Sequence, residues 1–181
     1  MAARRYDPDR RQRIIEAALR IVEQRGIAAL SHRSVAAEAD VPLGSTTYHF
    51  ASLDDLLVAA LEQVTCLPLA GIESWAAELA AGEMPFVEAL TDVLAEYAEG
   101  GHGRIRLEYE LYLAALTKPA LQPVAAAWMD DFAQVLGRHT PDEHTARVLV
   151  ALVDGLLLQF LLTDRQFDRD QVRSALLRVL G

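Results

Sequence analysis

Apolar residues recur at three- and four-residue intervals along most of the chain. No stretch alternates for long enough to suggest a strand, so the pattern predicts helices throughout. Ile14, Ile15, Ala18, Leu19 and Val22 form one stripe, which predicts a first helix from Asp9 to Arg25. Asp7 is a cap candidate, Pro8 suits the first helical position, and Gly26 ends the run. Ser31 opens a second helix that reaches Ala39, and a short third covers Leu43 to Phe50. Ser52-Leu53-Asp54-Asp55 is a capping-box pattern, opening a fourth helix that Pro68 stops or kinks. Ile72, Trp75 and Leu79 mark another helical piece over 70–81. Further helices are expected from Pro85 to Glu99, Arg104 to Thr117 and Ala120 to Leu136, with Gly100-Gly101-His102-Gly103 as a hinge. Thr140-Pro141-Asp142-Glu143 reads as a capping box with proline at the first helical position of a helix ending at Leu162. Asp168 begins the last helix.

Two of these helices lack a single apolar face. Between Arg104 and Thr117, Ile105, Tyr109, Tyr112, Leu113 and Leu116 share one face, and Leu107 and Leu111 form a second. Arg106 and Glu110 mark a narrow solvent-like strip, while Arg104 and Glu108 fall between the apolar faces, semi-buried and spaced to pair. That pair fits either an ordinary salt bridge or the polar anchor of a ligand cavity. Trp75, Phe86, Tyr97, Trp128 and Phe132 fit the wall of such a cavity or plain core. Val148 to Leu162 is apolar all round, so a water-soluble chain must cover it on every side, and Gly155 permits close approach. Asp154, Gly155 and Gln159 interrupt this run, which reads as too short and too polar for a membrane span.

With 52% apolar residues in 181, the chain can build a sizeable core. Its one cysteine, Cys66, excludes an internal disulfide framework and a cysteine zinc site. The first residues, with Arg4 and Arg5, lack the apolar stretch of a secretory signal, which points to the cytoplasm. The net charge of -9 argues against nucleic acid until its distribution is considered. Residues 1–50 carry eight arginines and six acids, whereas the rest carries nine basic and 20 acidic residues. Positive charge is thus concentrated at one end, where DNA affinity would need it.

The informative segment is 27–57. Val35-Ala36-Ala37-Glu38-Ala39, Val41-Pro42-Leu43-Gly44-Ser45, Tyr48-His49-Phe50 and Ser52 with Leu56-Leu57 follow one another in order. Two short helices at a tight turn make a helix-turn-helix, whose second helix can enter the major groove. Small residues at its exposed start can approach base edges, and threonine methyls can touch thymine. Over roughly its first 60 residues the chain resembles the tetracycline-repressor (TetR-type) family of regulators. Three positions depart from the family pattern: Asp40 for a turn glycine, Thr47 for an aromatic and Leu53 for a lysine.

The resemblance implies an all-α protein with an N-terminal three-helix DNA-binding domain, 1–51, and a helical ligand-binding and dimerisation body, 52–181. Arg4, Arg5, Ser31, His32, Arg33, Tyr48 and His49 are expected to position phosphates, and Leu43, Gly44, Ser45, Thr46 and Thr47 to face the bases. Arg104, Glu108, Tyr109 and Tyr112, with Trp75 and Trp128, are the candidate effector-binding residues. Val148–Leu162 and the last helix are expected to pair with their copies across a two-fold axis. The expected function is a repressor released from a palindromic operator by a small molecule. The alternative is an α-helical binding protein or enzyme without a DNA role, for which no G-x-S-x-G, H-E-x-x-H or Walker pattern speaks. No cofactor and no membrane partner are implied. His139, Asp142, Glu143 and His144 are better read as an exposed helix start than as metal ligands.

Overall fold

The computed structural model describes residues 9–65, 85–99, 102–163 and 165–181. Asp7, Pro8, Pro68, the 70–81 piece and Gly100-Gly101 lie outside them. Among the described residues every regular element is helical: α1 Arg10–Arg25, α2 His32–Glu38, α3 Leu43–His49, α4 over 53–65, α5 Phe86–Glu99, α6 His102–Ala114, α7 Gln122–Gly137, α8 Glu143–Leu162 and α9 Arg169–Leu180. Single 3-10 turns at Ile27–Ala29 and Pro119–Leu121 precede α2 and α7. The chain forms two compact units, Met1–Gln63 with Leu107–Gln122, and Val64–Arg106 with Pro123–Gly181.

In the first unit, α1 buries Ile14, Ile15, Ala17, Ala18, Ile21 and Val22 on one face. Val35 and Ala36 of α2, then Phe50, Leu56, Leu57 and Leu61, complete this core. Each large aliphatic side chain so buried contributes roughly 1.5–3 kcal/mol. Gly26 ends α1 at φ +79, donating its N–H to the Val22 carbonyl at 2.8 Å. Ser31 caps α2 by accepting from the Ser34 N–H at 3.0 Å, and Ser34 Oγ accepts from the Ser31 N–H at 2.9 Å. The capping box of α4 has the same reciprocal form, between Ser52 and Asp55.

In the second unit, α5 and α9 are pinned by ion pairs between Arg173 and Glu88 and between Arg169 and Asp92. Three expectations need correction here. Gly103 lies within α6, which starts at His102, so the hinge cannot extend that far. The cap of α8 is Asp142, whose carboxylate accepts from the Thr145 N–H at 2.7 Å; Thr140 and Pro141 precede the helix. That donated bond holds the Asp142 carboxyl below its ordinary range. Finally, α8 has 20 residues and is long and apolar enough, by length and composition alone, to cross a membrane.

Among the described residues, α8 is buried along one side. Ala146, Leu149, Val150, Val153 and Leu157 are buried. Val148, Ala151 and Leu162 are exposed, and Leu152, Gly155 and Leu156 are half-exposed. A Cβ at Gly155 would meet nothing within 4 Å, so the chain's own packing does not require glycine there.

Candidate DNA interface and effector-sensing residues

The helix-turn-helix is formed by α2 and α3. Its turn is closed by Val41 N–H donating to the Ala36 carbonyl at 3.0 Å. Asp40 holds φ +52, the left-handed conformation that a turn of this shape imposes. Tight packing of α2 on α1 through Val35 and Ala36 sets the attitude of α3, whose outer face carries Leu43, Gly44, Thr47 and Tyr48. Tyr48 is 81% exposed and meets the His49 ring edge-on at 5.1 Å. Gly44 has open space around it, so nothing on that side hinders approach of a duplex.

Ser45 and Thr46 turn inward instead. Thr46 is fully buried, and its hydroxyl donates to the Leu43 carbonyl at 2.8 Å. A side chain so enclosed cannot meet a base edge while α3 keeps this packing. On α2, Arg33 is exposed and Ser31 and His32 are half-buried; the Ser31 hydroxyl is already engaged in its cap. Arg11 lies over the Phe50 ring at 5.2 Å and joins Arg13 on the exposed side of α1. Arg4 and Arg5 lie outside the described residues.

The effector candidates divide between the two units. Glu108, Tyr109 and Tyr112 belong to the first, Arg104 and Trp128 to the second. Trp75 lies outside the described residues. Tyr109 is buried and meets Tyr112 edge-to-face at 6.1 Å. Burial pushes the Glu108 carboxyl up to about 8. Below that pH it is a neutral acid, the form a low-dielectric environment prefers. Arg104 is exposed, so of the two charges expected to be semi-buried only Glu108 is. Trp128 stacks on Phe132 at 6.0 Å within its own unit. That unit also has an open cleft of about 770 Å³ beside the end of α8, lined by Arg106, Phe160, Arg165 and Phe167 among others.

Sequence reasoning missed contacts between segments distant in sequence. Glu110, placed on a solvent-like strip, is half-buried, and its Oε1 accepts from the Ile27 N–H at 2.6 Å. Nothing local signals a bond between residues 83 positions apart. Lys118 adds an ion pair to Asp54 at 2.8 Å, likewise across distant sequence.

Comparison with known proteins agrees with this geometry. Residues 14–60 match the sequence family described as bacterial regulatory proteins of the tetR family. Residues 81–181 match the tetracyclin repressor-like C-terminal domain. The regulator PksA of Bacillus subtilis is 26% identical over 93% of this chain and 87% of its own. The multidrug binding protein EbrR, solved with imidazole, is 53% identical, with a TM-score of 0.88 over 97% of both chains. Its ethidium complex superposes with a TM-score of 0.80 at 52% identity, over 95% of this chain and 99% of that one. A family member from Streptomyces coelicolor A3 is 53% identical, with a TM-score of 0.86 over 96% of this chain and 99% of its own.

Proposed function

The chain belongs to the TetR family of DNA-binding transcriptional regulators, and from that premise we propose that it is a homodimeric, cytoplasmic repressor released from a two-fold operator by aromatic cations. The observation that carries the effector class is Glu108, a largely buried carboxyl beside the Tyr109–Tyr112 pair. A cation that displaces the proton gains a charged partner out of water, and aromatic faces supply contact area and cation–π attraction. The similar protein EbrR has been solved with ethidium, malachite green and proflavin, which are aromatic cationic dyes. Arg104, Trp75 and Trp128 are further candidates for effector contact.

On the DNA side, Leu43, Gly44 and Thr47 read bases, while Arg4, Arg5, Ser31, His32, Arg33, Tyr48 and His49 position phosphates. This division follows exposure: a reader must reach the groove, and Ser45 and Thr46 support α3 from inside. Functionally, residues 1–51 bind DNA and 52–181 sense and dimerise. The dimer uses α8 and α9, since the uncovered side of α8 is apolar and Leu177 of α9 is also exposed. A second copy covers that surface at little energetic cost, and two half-sites demand a dimer.

The test begins with selection of bound sequences from random duplex DNA. The recovered duplex should be a palindrome with half-sites spaced by about one helical turn. Tetraphenylphosphonium, an aromatic cation that does not intercalate, should then lower the affinity for that duplex. Release by neutral aromatics alone would overturn the effector class, and recovery of no enriched sequence would overturn the operator.

A further inference from the structure

The division into compact units passes through α6. Residues up to Arg106 fall in the second unit and those from Leu107 in the first, together with α1 to α3. One unbroken helix therefore belongs to both. Its later half is tied to the DNA-binding helices by Glu110. The Glu110 carboxylate accepts the Ile27 N–H at 2.6 Å, at the start of the turn that joins α1 to α2. Ile27 is the first residue of the 3-10 turn, and the leading N–H groups of a helical turn have no carbonyl within it to meet. Gly26 is suited to the approach twice over. It holds φ +79, and a Cβ there would lie 3.2 Å from the same Glu110 oxygen. A carboxylate accepting a backbone N–H makes a short, charge-assisted bond. The Lys118–Asp54 pair is the weaker link, because both side chains are substantially solvated.

Glu110 follows Glu108 by two positions and Tyr109 by one. Any displacement of α6 by a cation at those residues carries Glu110 with it, since a helix moves as a rigid rod over so short a span. We propose that Glu110, through its bond to Ile27, is the positioning residue that transmits effector binding to the recognition helix. This rests on the effector reading above and adds the residue through which it acts.

The experiment uses the full-length protein, its selected operator duplex and tetraphenylphosphonium. Operator affinity is measured with and without saturating cation, and cation affinity is measured separately without DNA. In the wild type the two operator affinities should differ by a factor within the range of about 5–150 typical of coupled sites. Glu110→Ala should reduce that factor at least about fivefold while leaving cation affinity within about twofold. Glu110→Gln keeps an acceptor of the same reach and should retain most of the coupling, whereas Glu110→Met, which fills the space without an acceptor, should lose it as Glu110→Ala does; a merely space-filling role would spare Glu110→Met. If Glu110→Ala does not fold, Glu110→Asp, one methylene too short for the amide, provides the same readout. A wild-type coupling factor in Glu110→Ala or Glu110→Asp overturns the proposal. A wild type that binds operator but does not respond to the cation overturns the effector reading instead.

Discussion

Replacing Glu108 by glutamine keeps the shape and a hydrogen-bonding head but removes the titration. The wild-type carboxyl is held at about 8 against an ordinary value of 4.5. Between those values the folded protein binds a proton that the unfolded chain has lost. Stability from this group is therefore full below pH 4.5, falls as pH rises, and levels off above about 8. Each pH unit is worth about 1.4 kcal/mol, which bounds the effect at roughly 5 kcal/mol. Burial is incomplete and the surroundings relax, so about 2 kcal/mol is the realistic size. Urea titrations at fixed protein concentration should show Glu108→Gln gaining that amount relative to wild type between pH 5 and about 8, in line with the displaced titration.

Effector binding has the same proton in its balance. Below about pH 8 the empty site is neutral, and an aromatic cation binds best to the ionised form, so binding releases a proton. Tetraphenylphosphonium affinity should rise by up to about tenfold per pH unit from pH 6, then become flat above 8. Calorimetry in buffers of different ionisation enthalpy counts the released protons directly. Glu108→Gln should bind the cation more weakly and without pH dependence. A pH-independent wild type, or a slope that persists in Glu108→Gln, would refute the assignment of Glu108 to the cation.

Three further outcomes follow from the packing. Thr47→Ala should change base preference in a mismatch library, whereas Thr46→Ala should lose about 1 kcal/mol of stability through its bond to Leu43, with preference unchanged; altered preference in Thr46→Ala would restore it as a reader. Asp40→Gly should raise stability by about 0.5–1 kcal/mol by relieving the left-handed turn, as measured by urea unfolding. Gly155→Leu should leave the protomer folded, since a Cβ there meets no described residue within 4 Å, but weaken the dimer by about 1–3 kcal/mol in sedimentation; an unaffected dimer would remove α8 from the interface around residue 155.

The DNA-binding half was legible because its signals are local. Capping at Ser31, the turn at Asp40 and the apolar spacing of Ile14 to Val22 each act within one or two helical turns, and the structure retains them. Exposure on α3 was less legible. Small polar residues look alike in sequence, and only packing against α1 turns Thr46 inward while leaving Thr47 outside. The cap of α8 was misplaced by two residues because Thr140 and Asp142 both satisfy the local rule, and the structure selects Asp142.

The pattern along α6 has more than one physical source. Two apolar faces on one helix suggest enclosure, which fits a cavity wall or plain core alike. The helix is also divided along its length, with residues up to Arg106 in one compact unit and those from Leu107 in the other. Leu107 and Leu111 are buried in the half of α6 that falls in the same compact unit as the DNA-binding helices, while Leu116, just past its end, remains exposed. The same placement accounts for Glu110. A polar strip between two apolar faces normally marks solvent, but here it meets a backbone amide at a chain turn. Periodicity can show that a strip is polar. Whether water or an amide meets it is decided by chain segments far away in sequence, which is why the residue proposed to couple the two functions was the one the pattern assigned to solvent.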